Sequence, residues 1–312
     1  KKENLFLAIK GKNNDGNNFI AKAIKKGASY IISSKNYKDK RKKIIKVNNT
    51  TTFLNHFARE KRKICKATVL AITGSAGKTS LKNLLELLLQ KYGSTYASPR
   101  SFNNHYGVPL SLSNLNLNHR FGVFEVGMNH SGEINQLSGM INPHLAIITN
   151  IAEAHIENFN SIKDIAKTKS EIINNIENKG ILILNRDDKF FNYLNKKAKL
   201  RNIKVITFGI SKKSDVYPIT IKQQRKVKQI TINVKNEILN LKVKNINIYN
   251  VLASLAVLKV FSLDLKKTIK VFLRYQPLEG RGRVHKIKRY KKFFYLIDES
   301  YNANPFSVKN AL

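Results

Sequence analysis

The sequence predicts an α/β fold: a mostly parallel sheet with helices on both faces, a small antiparallel β insert, and a partial small α/β region in front. Three observations carry that reading. Short apolar, β-rich runs alternate with amphipathic stretches along most of the 312 residues, which is the spacing of βαβ units. One run, residues 180–184 (GILIL), is almost wholly apolar, as expected of a strand covered on both faces. Another, residues 67–73 (ATVLAIT), opens directly onto a glycine-rich turn and a helical pattern.

In chain order, strands are expected at 5–9, 30–33, 43–47, 67–73, 121–126, 145–150, 180–184, 204–208 and 293–298. Helical periodicity falls at 78–91, 162–175, 188–199, 248–261 and 264–274, with apolar residues recurring three and four apart. Residues 216–243 (YPITIKQ, VKQITINV, EILNLKV) instead alternate polar and apolar, with Asn236 and Glu237 as a turn. This reads as the antiparallel insert. A weak boundary near 61–66 (KRKICK) separates a small N-terminal α/β region from the larger core. No internal repeat is visible.

The charge is the loudest feature. Lys and Arg number 57 against 20 Asp and Glu, a formal +37, which suggests nucleic acid or an anionic surface. The positive residues are spread along the chain, however, are mostly Lys, and come with an excess of Asn and Ile, all residues with A/T-rich codons. The densest basic runs, 38–46, 222–228 and 281–292, lack the aromatic interleaving of an RNA-recognition or single-strand module. The charge therefore reads as a solvated surface, with no nucleic-acid partner expected. A hydrophobic share of 42% excludes a disordered polyelectrolyte. The single cysteine, Cys65, excludes an internal disulfide framework and fits a reducing compartment, so the cytoplasm is expected. No apolar run reaches the roughly 18 residues that a membrane span needs.

The strongest local signal is Gly74-Ser75-Ala76-Gly77-Lys78-Thr79-Ser80 between a strand and a helix, the context that makes a GK[ST] match credible. The backbone N–H groups of such a turn and the helix N-terminus cradle phosphate oxygens. Lys78 would reach the β- and γ-phosphates and Thr79 would ligate Mg2+. Ile72 stands where the longer G-x-x-x-x-G-K-[ST] pattern has its first Gly, so the loop is a shorter variant. Ligands bind at the carboxyl ends of parallel strands, and other candidates fall there. Glu125 ends an apolar strand (FEVG); His155 follows the strand LAIITN; Lys169 lies on the next helix (DIAKTKSEI). Each also has an ordinary reading: a solvent-facing Glu, a surface or core His, one more surface Lys. Composition alone does not select Lys169. Asp298 ends FFYLID as a cap or turn residue; Arg281 in EGRGRV is a phosphate ligand or a surface charge; Asn103 and Asn104 in SFNNHYGV are a polar turn or part of a site.

Taken together, residues 6–28, 73–80 (TGSAGKTS), 101–112 (SFNNHYGVPLSL), 124–134 (FEVGMNHSGEI), 149–172, 279–283 (EGRGR) and 297–312 (IDESYNANPFSVKNAL) resemble the Mur ligases. These are ATP-dependent amide-forming enzymes of peptidoglycan synthesis. The NNxxGxPL and YNANPxS elements favour the MurF-type branch. The phosphate loop alone would not exclude the sister ligases or folylpolyglutamate synthetases. The resemblance implies that residues 74–80 bind ATP phosphates, that Thr79 and Glu125 hold one Mg2+, and that His155 and Lys169 serve a second. Lys169 would then be N-carboxylated, an oxygen ligand suited to a hard cation. It also implies catalytic roles for Lys78, His155 and Lys169, nucleotide contacts from Asn250, Arg281 and Asp298, and Asn103 and Asn104 on the muramoyl-peptide side. The implied partners are UDP-N-acetylmuramoyl-tripeptide and D-alanyl-D-alanine, with the protein a monomer.

The family's Gly-x-His-Asn-hydrophobic-x-Asn element is incomplete at residues 244–250 (KNINIYN), which keep the two Asn but lack the Gly and the His. The expected organisation is a partial UDP-sugar-binding domain at 1–64, a central ATP-binding domain at 65–303, and at 304–312 the start of a further domain that would bind the dipeptide. The chain is thus expected to be a piece of a longer enzyme, binding ATP without completing ligation. Other Mur-type or folylpolyglutamate ligases and a basic nucleic-acid-binding P-loop protein remain the alternatives.

Overall fold

The computed structural model describes residues 4–11, 13–37, 43–154, 156–224, 227–301 and 308. His155 and all of 304–312 but residue 308 therefore lie outside the described residues.

The N-terminal region is a parallel three-stranded sheet of β1 (Leu5–Leu7), β2 (Tyr30–Ser33) and β3 (Ile44–Lys46), in that order. Helix α1 (Ile20–Lys25) packs against it, burying Ile20 with Ala8, Ala28 and Ile31. Asn49 caps α2 (Thr50–Ile64) by accepting from the N–H groups of Thr51 and Thr52, satisfying two of the helix's orphan donors. The sequence reading missed α2, which opens with three β-branched threonines of low helix propensity. Its amphipathic packing supplies what propensity withholds: Ala58 joins the apolar cluster under the main sheet, and Arg62 donates to the carbonyls of Ile141 and Asn142 and to Glu177. The boundary anticipated at 61–66 thus sits at the end of a helix that is tied to the core.

The main sheet has nine strands. They are β4 (Thr68–Thr73), β5 (Thr95–Ala97), β6 (Phe121–Glu125), β7 (Leu145–Ile148), β8 (Ile181–Asn185), β9 (Lys204–Phe208), β10 (Val216–Gln224), β11 (Val227–Val234) and β12 (Glu237–Val243). The spatial order is β12-β11-β10-β9-β8-β7-β4-β6-β5. From β5 to β10 the neighbours are parallel; β10, β11 and β12 form an antiparallel meander that extends the same sheet. Strand side chains alternate between faces, and both faces are covered. Leu70 and Ile72 of β4 face one cluster with α3 (Lys78–Leu89) and α8 (Ile248–Val260). Val69 and Ala71 face the other, with α2, α4 (Gly107–Ser113), α5 (Glu133–Ile141), α6 (Ile162–Lys169) and α7 (Phe191–Leu200).

The meander's turn is Lys235-Asn236, both left-handed at φ +48° and +71°, one residue earlier than the Asn236-Glu237 expected. Glu237 already pairs with Val234. The helix expected over 162–175 tightens at Ser170 into a 3-10 segment, Ser170–Asn175, and the one over 264–274 opens with a 3-10 turn before α9 (Ile269–Arg274). After it comes a hairpin of β13 (Arg283–Arg289) and β14 (Lys292–Asp298). Strand β13 was read only as a basic run.

The strand order reverses at β4, which pairs with β6 on one side and β7 on the other. That is the switch point where an open parallel sheet leaves a crevice at its carboxyl edge.

Candidate active site

The phosphate loop lies in that crevice. Gly74 adopts φ +143°, and a Cβ there would stand 1.9 Å from Thr149 Oγ1 at the end of β7, so only glycine fits. Gly77, at φ +82°, precedes α3, and the Asn250 amide packs against it. The loop is tied to the segment after β7. Ser75 N donates to Asn150 O at 3.0 Å, and Ser75 Oγ exchanges hydrogen bonds with the Ala152 backbone. Ala76 N donates to Asn150 Oδ1 at 3.0 Å, while Thr149 Oγ1 and Asn150 Nδ2 donate to Ala76 O. The amides of Ser75 and Ala76 are therefore engaged within the protein. Phosphate oxygens are left to the orphan donors at the start of α3, from Gly77 to Thr79. Ser80 follows within α3 and also lines the cleft.

Thr79 and Glu125 meet at the floor. Thr79 Oγ1 donates to Glu125 Oε2 at 2.7 Å, and both side chains are buried. Asn103 Nδ2 donates to the other oxygen, Oε1, at 2.7 Å. Ser98 Oγ accepts from Glu125 N. Ser101, which the sequence reading did not select, lies 3.4 Å from Thr79 Oγ1 and also bonds Arg281 and Tyr301. The Arg281 guanidinium stacks 3.9 Å from the Tyr301 ring centroid. Among the described residues no three His, Cys, Asp or Glu gather as a metal cluster. A hydroxyl and a carboxylate nonetheless suit Mg2+, a hard cation that keeps several waters and takes phosphate oxygens as further ligands.

Two lysines enter the same cleft. Lys78 Nζ folds back to Gly74 O at 2.7 Å. Burial holds it below the usual lysine range, against Glu125 and helped by Arg281. Lys169, the last residue of α6, is 2% exposed and its ammonium has no hydrogen bond or ion pair among the described residues. Burial, then the nearby Lys78, pushes its pKa well below the ordinary value. The cleft encloses about 2470 Å³ and is lined by residues 74–80, Asn103, Glu125, Lys169, Asn250 and Arg281.

The other candidates stand differently. Asn104 also lines the cleft, but its Oδ1 accepts from Tyr106 N and Gly107 N, opening α4. Asp298 accepts from Gly280 N through one oxygen and from Ser300 through the other. It brackets the turn that carries Arg281, and these bonds hold its carboxyl below the ordinary carboxylate range. Asn247 caps α8 by accepting from Tyr249 N. Ile246, where the family's His was expected, is buried in the core.

The Mur ligase middle domain matches residues 72–258, and the Mur ligase family catalytic domain matches residues 1–62. The chain belongs to the Mur ligase family. It is 34% identical to the UDP-N-acetylmuramoyl-tripeptide–D-alanyl-D-alanine ligase of Rickettsia prowazekii, over 100% of this chain and 70% of the relative. Among solved structures, MurF from Acinetobacter baumannii superposes with TM-score 0.86 at 29% identity, covering 98% of this chain and 67% of that one. MurF from Thermotoga maritima, solved in complex with ADP, gives 0.83 at 27%, over 99% and 70%. The chain thus spans about two thirds of the length of these Mur ligases. It is a MurF-type Mur ligase sequence throughout.

Sequence reasoning did not find Ser101, Asn150 or Lys82. For Lys82 a signal existed: it shares a helical face with Leu85 and Leu89, both fully buried.

Proposed function

We propose that this chain binds and activates substrate in an ATP-dependent ligase that joins D-alanyl-D-alanine to UDP-N-acetylmuramoyl-tripeptide in peptidoglycan synthesis. The observation that carries the reading is likeness along the whole chain to relatives of that name, joined to the buried Thr79–Glu125 pair beside the phosphate loop. The tripeptide carboxylate attacks the γ-phosphorus of ATP, giving an acyl phosphate and ADP. The dipeptide amine then attacks the acyl carbon, loses a proton, and phosphate leaves. The amides opening α3 and the Lys78 ammonium would hold the phosphates, Lys78 on the transferring group; this is catalysis by positioning and electrostatics.

Thr79 and Glu125 would hold Mg2+, which when bound neutralises phosphate charge. Lys169, with His155, would serve a second Mg2+ as an N-carboxylated lysine: the neutral amine adds CO2 and releases a proton. Burial favours that neutral form. Asn250 and Arg281 would lie along the nucleotide, with Asp298 holding the Arg281 turn. Asn103, by orienting Glu125, and Asn104, by shaping the start of α4, would act on the peptide side. Residues 1–64 would face the UDP-sugar, 65–303 the nucleotide, and 304–312 would begin a dipeptide-binding part. No helix of the described residues is long and apolar enough to cross a membrane, and the enzyme would work in the cytoplasm as a monomer.

The test, run on the longer enzyme that carries the dipeptide-binding part, is phosphate release from ATP with each substrate omitted in turn. Release that requires both UDP-N-acetylmuramoyl-tripeptide and D-alanyl-D-alanine is expected. Release with UDP-N-acetylmuramoyl-dipeptide plus diaminopimelate or lysine, and not with the tripeptide pair, would replace this reading with that of a sister ligase.

A further inference from the structure

Lys82 heads the largest side chains that the fold buries completely, at 0% exposed. Lysine is almost never fully buried unless paired. It lies one turn beyond Lys78 on α3, and its Nζ donates to Ser98 O at 2.6 Å and to Arg100 O. Both carbonyls belong to the turn that leaves β5. Within that turn Arg100 is left-handed, at φ +47°, a conformation that persists in a non-glycine residue only where its surroundings hold it.

The turn leads straight into the site. Ser98 Oγ accepts from Glu125 N, Ser101 reaches Thr79, and Asn103 donates to Glu125. The phosphate loop, by contrast, is held from the opposite side by residues 149–152.

We propose that Lys82 is a positioning residue: by clasping the carbonyls of Ser98 and Arg100 it sets the turn that aims Ser101 and Asn103 at Thr79 and Glu125, and so governs how that oxygen pair takes a divalent cation on a bound nucleotide. This rests on the nucleotide reading above. An amine and an ammonium both offer the two N–H donors needed, so the clasp does not depend on the charge of Lys82. Without it, the buried Ser98 carbonyl and the partly buried Arg100 carbonyl lose their partner and the turn relaxes. The loop amides, tied elsewhere, keep their place.

The experiment is calorimetric titration of the chain with ADP, once with Mg2+ and once with EDTA. The wild type binds ADP more tightly with Mg2+. Lys82→Met loses about tenfold or more of that metal-dependent gain, while its affinity in EDTA changes by less than about twofold. Leu88→Ala, a cavity in the same helix at a residue that does not line the cleft, lowers the melting temperature but keeps the full gain. If Lys82→Met does not fold, Lys82→Gln, too short to span both carbonyls, carries the comparison. A full metal-dependent gain in either folded Lys82 variant, or an equal loss in Leu88→Ala, overturns the positioning role alone. A wild type with no metal-dependent gain overturns the nucleotide reading, and this inference with it.

Discussion

Ala76 and Asn150, 74 positions apart, exchange two hydrogen bonds: Ala76 N donates to Asn150 Oδ1 at 3.0 Å, and Asn150 Nδ2 donates to Ala76 O at 3.1 Å. One amide side chain thus satisfies a donor and an acceptor of the phosphate loop and fixes its course. Preorganisation of this kind lowers the ordering cost of binding. Asn150→Ala should weaken ADP binding about tenfold with and without Mg2+ alike. Asn150→Asp should weaken it further, because a carboxylate cannot donate to Ala76 O and repels phosphate. Calorimetry checks both; a loss confined to the Mg2+ titration would contradict them.

The metal half of the site should respond in the opposite way. Glu125→Gln keeps the side chain's size and removes its charge from the Thr79 hydroxyl and the Asn103 amide. The metal-dependent gain in ADP affinity should fall about tenfold or more, with affinity in EDTA retained or improved, since a carboxylate near the phosphates is gone. Unchanged Mg2+ dependence would remove Glu125 from the metal site.

Gly74 meets Thr149 at a distance no Cβ tolerates. Gly74→Ala should cost about 3 kcal/mol of stability, from the clash and from a backbone angle that L-residues rarely adopt. Adding Thr149→Ala removes the clashing hydroxyl but not the strain, so the double variant should be less destabilised than the sum of the singles. Denaturant unfolding of all four proteins measures the coupling. Simple additivity would show that the contact is relieved by backbone movement.

His144 sits half-buried at the opposite edge of the sheet. Its Nδ1 accepts from Val69 N at 2.9 Å, and its Nε2 lies 3.4 Å from Glu177, which also pairs with Arg62. Burial lowers its pKa, with Arg62 adding to that and Glu177 opposing. Protonation would also end the acceptance from Val69. Because the folded value lies below the unfolded one of about 6.5, the unfolded chain binds more protons in between. Stability from this group is complete above that value and lost as pH falls through the folded pKa. Melting temperatures from about pH 8 to about pH 5 should fall more steeply for the wild type than for His144→Asn, which keeps an acceptor without a titrating ring. Parallel curves would mean that the imidazole contributes nothing.

Much of the site was legible because its signals are local. The strand at β4, the turn at residues 74–77 and the amphipathic α3 are neighbours in sequence, and the turn's glycines announce backbone angles that other residues avoid. Glu125 stood out as a carboxylate at the end of an apolar strand. Where readings failed, the deciding contact was distant. Strand β5 is three residues long and forms by pairing with β6. Helix α2 depends on packing that its own propensities do not foretell. For Asn104 and Asp298, whose roles are proposals, the structure adds that their side-chain oxygens accept from backbone amides. Their polarity alone could not say whether a ligand or a turn would use it.

The charge of +37 shows the same division. The sequence by itself determined that this is an α/β chain with a phosphate loop, and order-preserving motifs pointed to the Mur ligases, because alternating periodicity and glycine turns are properties of adjacent residues. The phosphate loop had marked Lys78 and the resemblance Lys169; only the tertiary structure separated Lys82 from the other lysines. Burial is a property of the assembled sheet and helices: it strips water from Lys82 and Lys169 and part of it from Lys78, lowers the pKa of all three, and makes each partner matter. Lysines left on the surface keep their water and stay interchangeable.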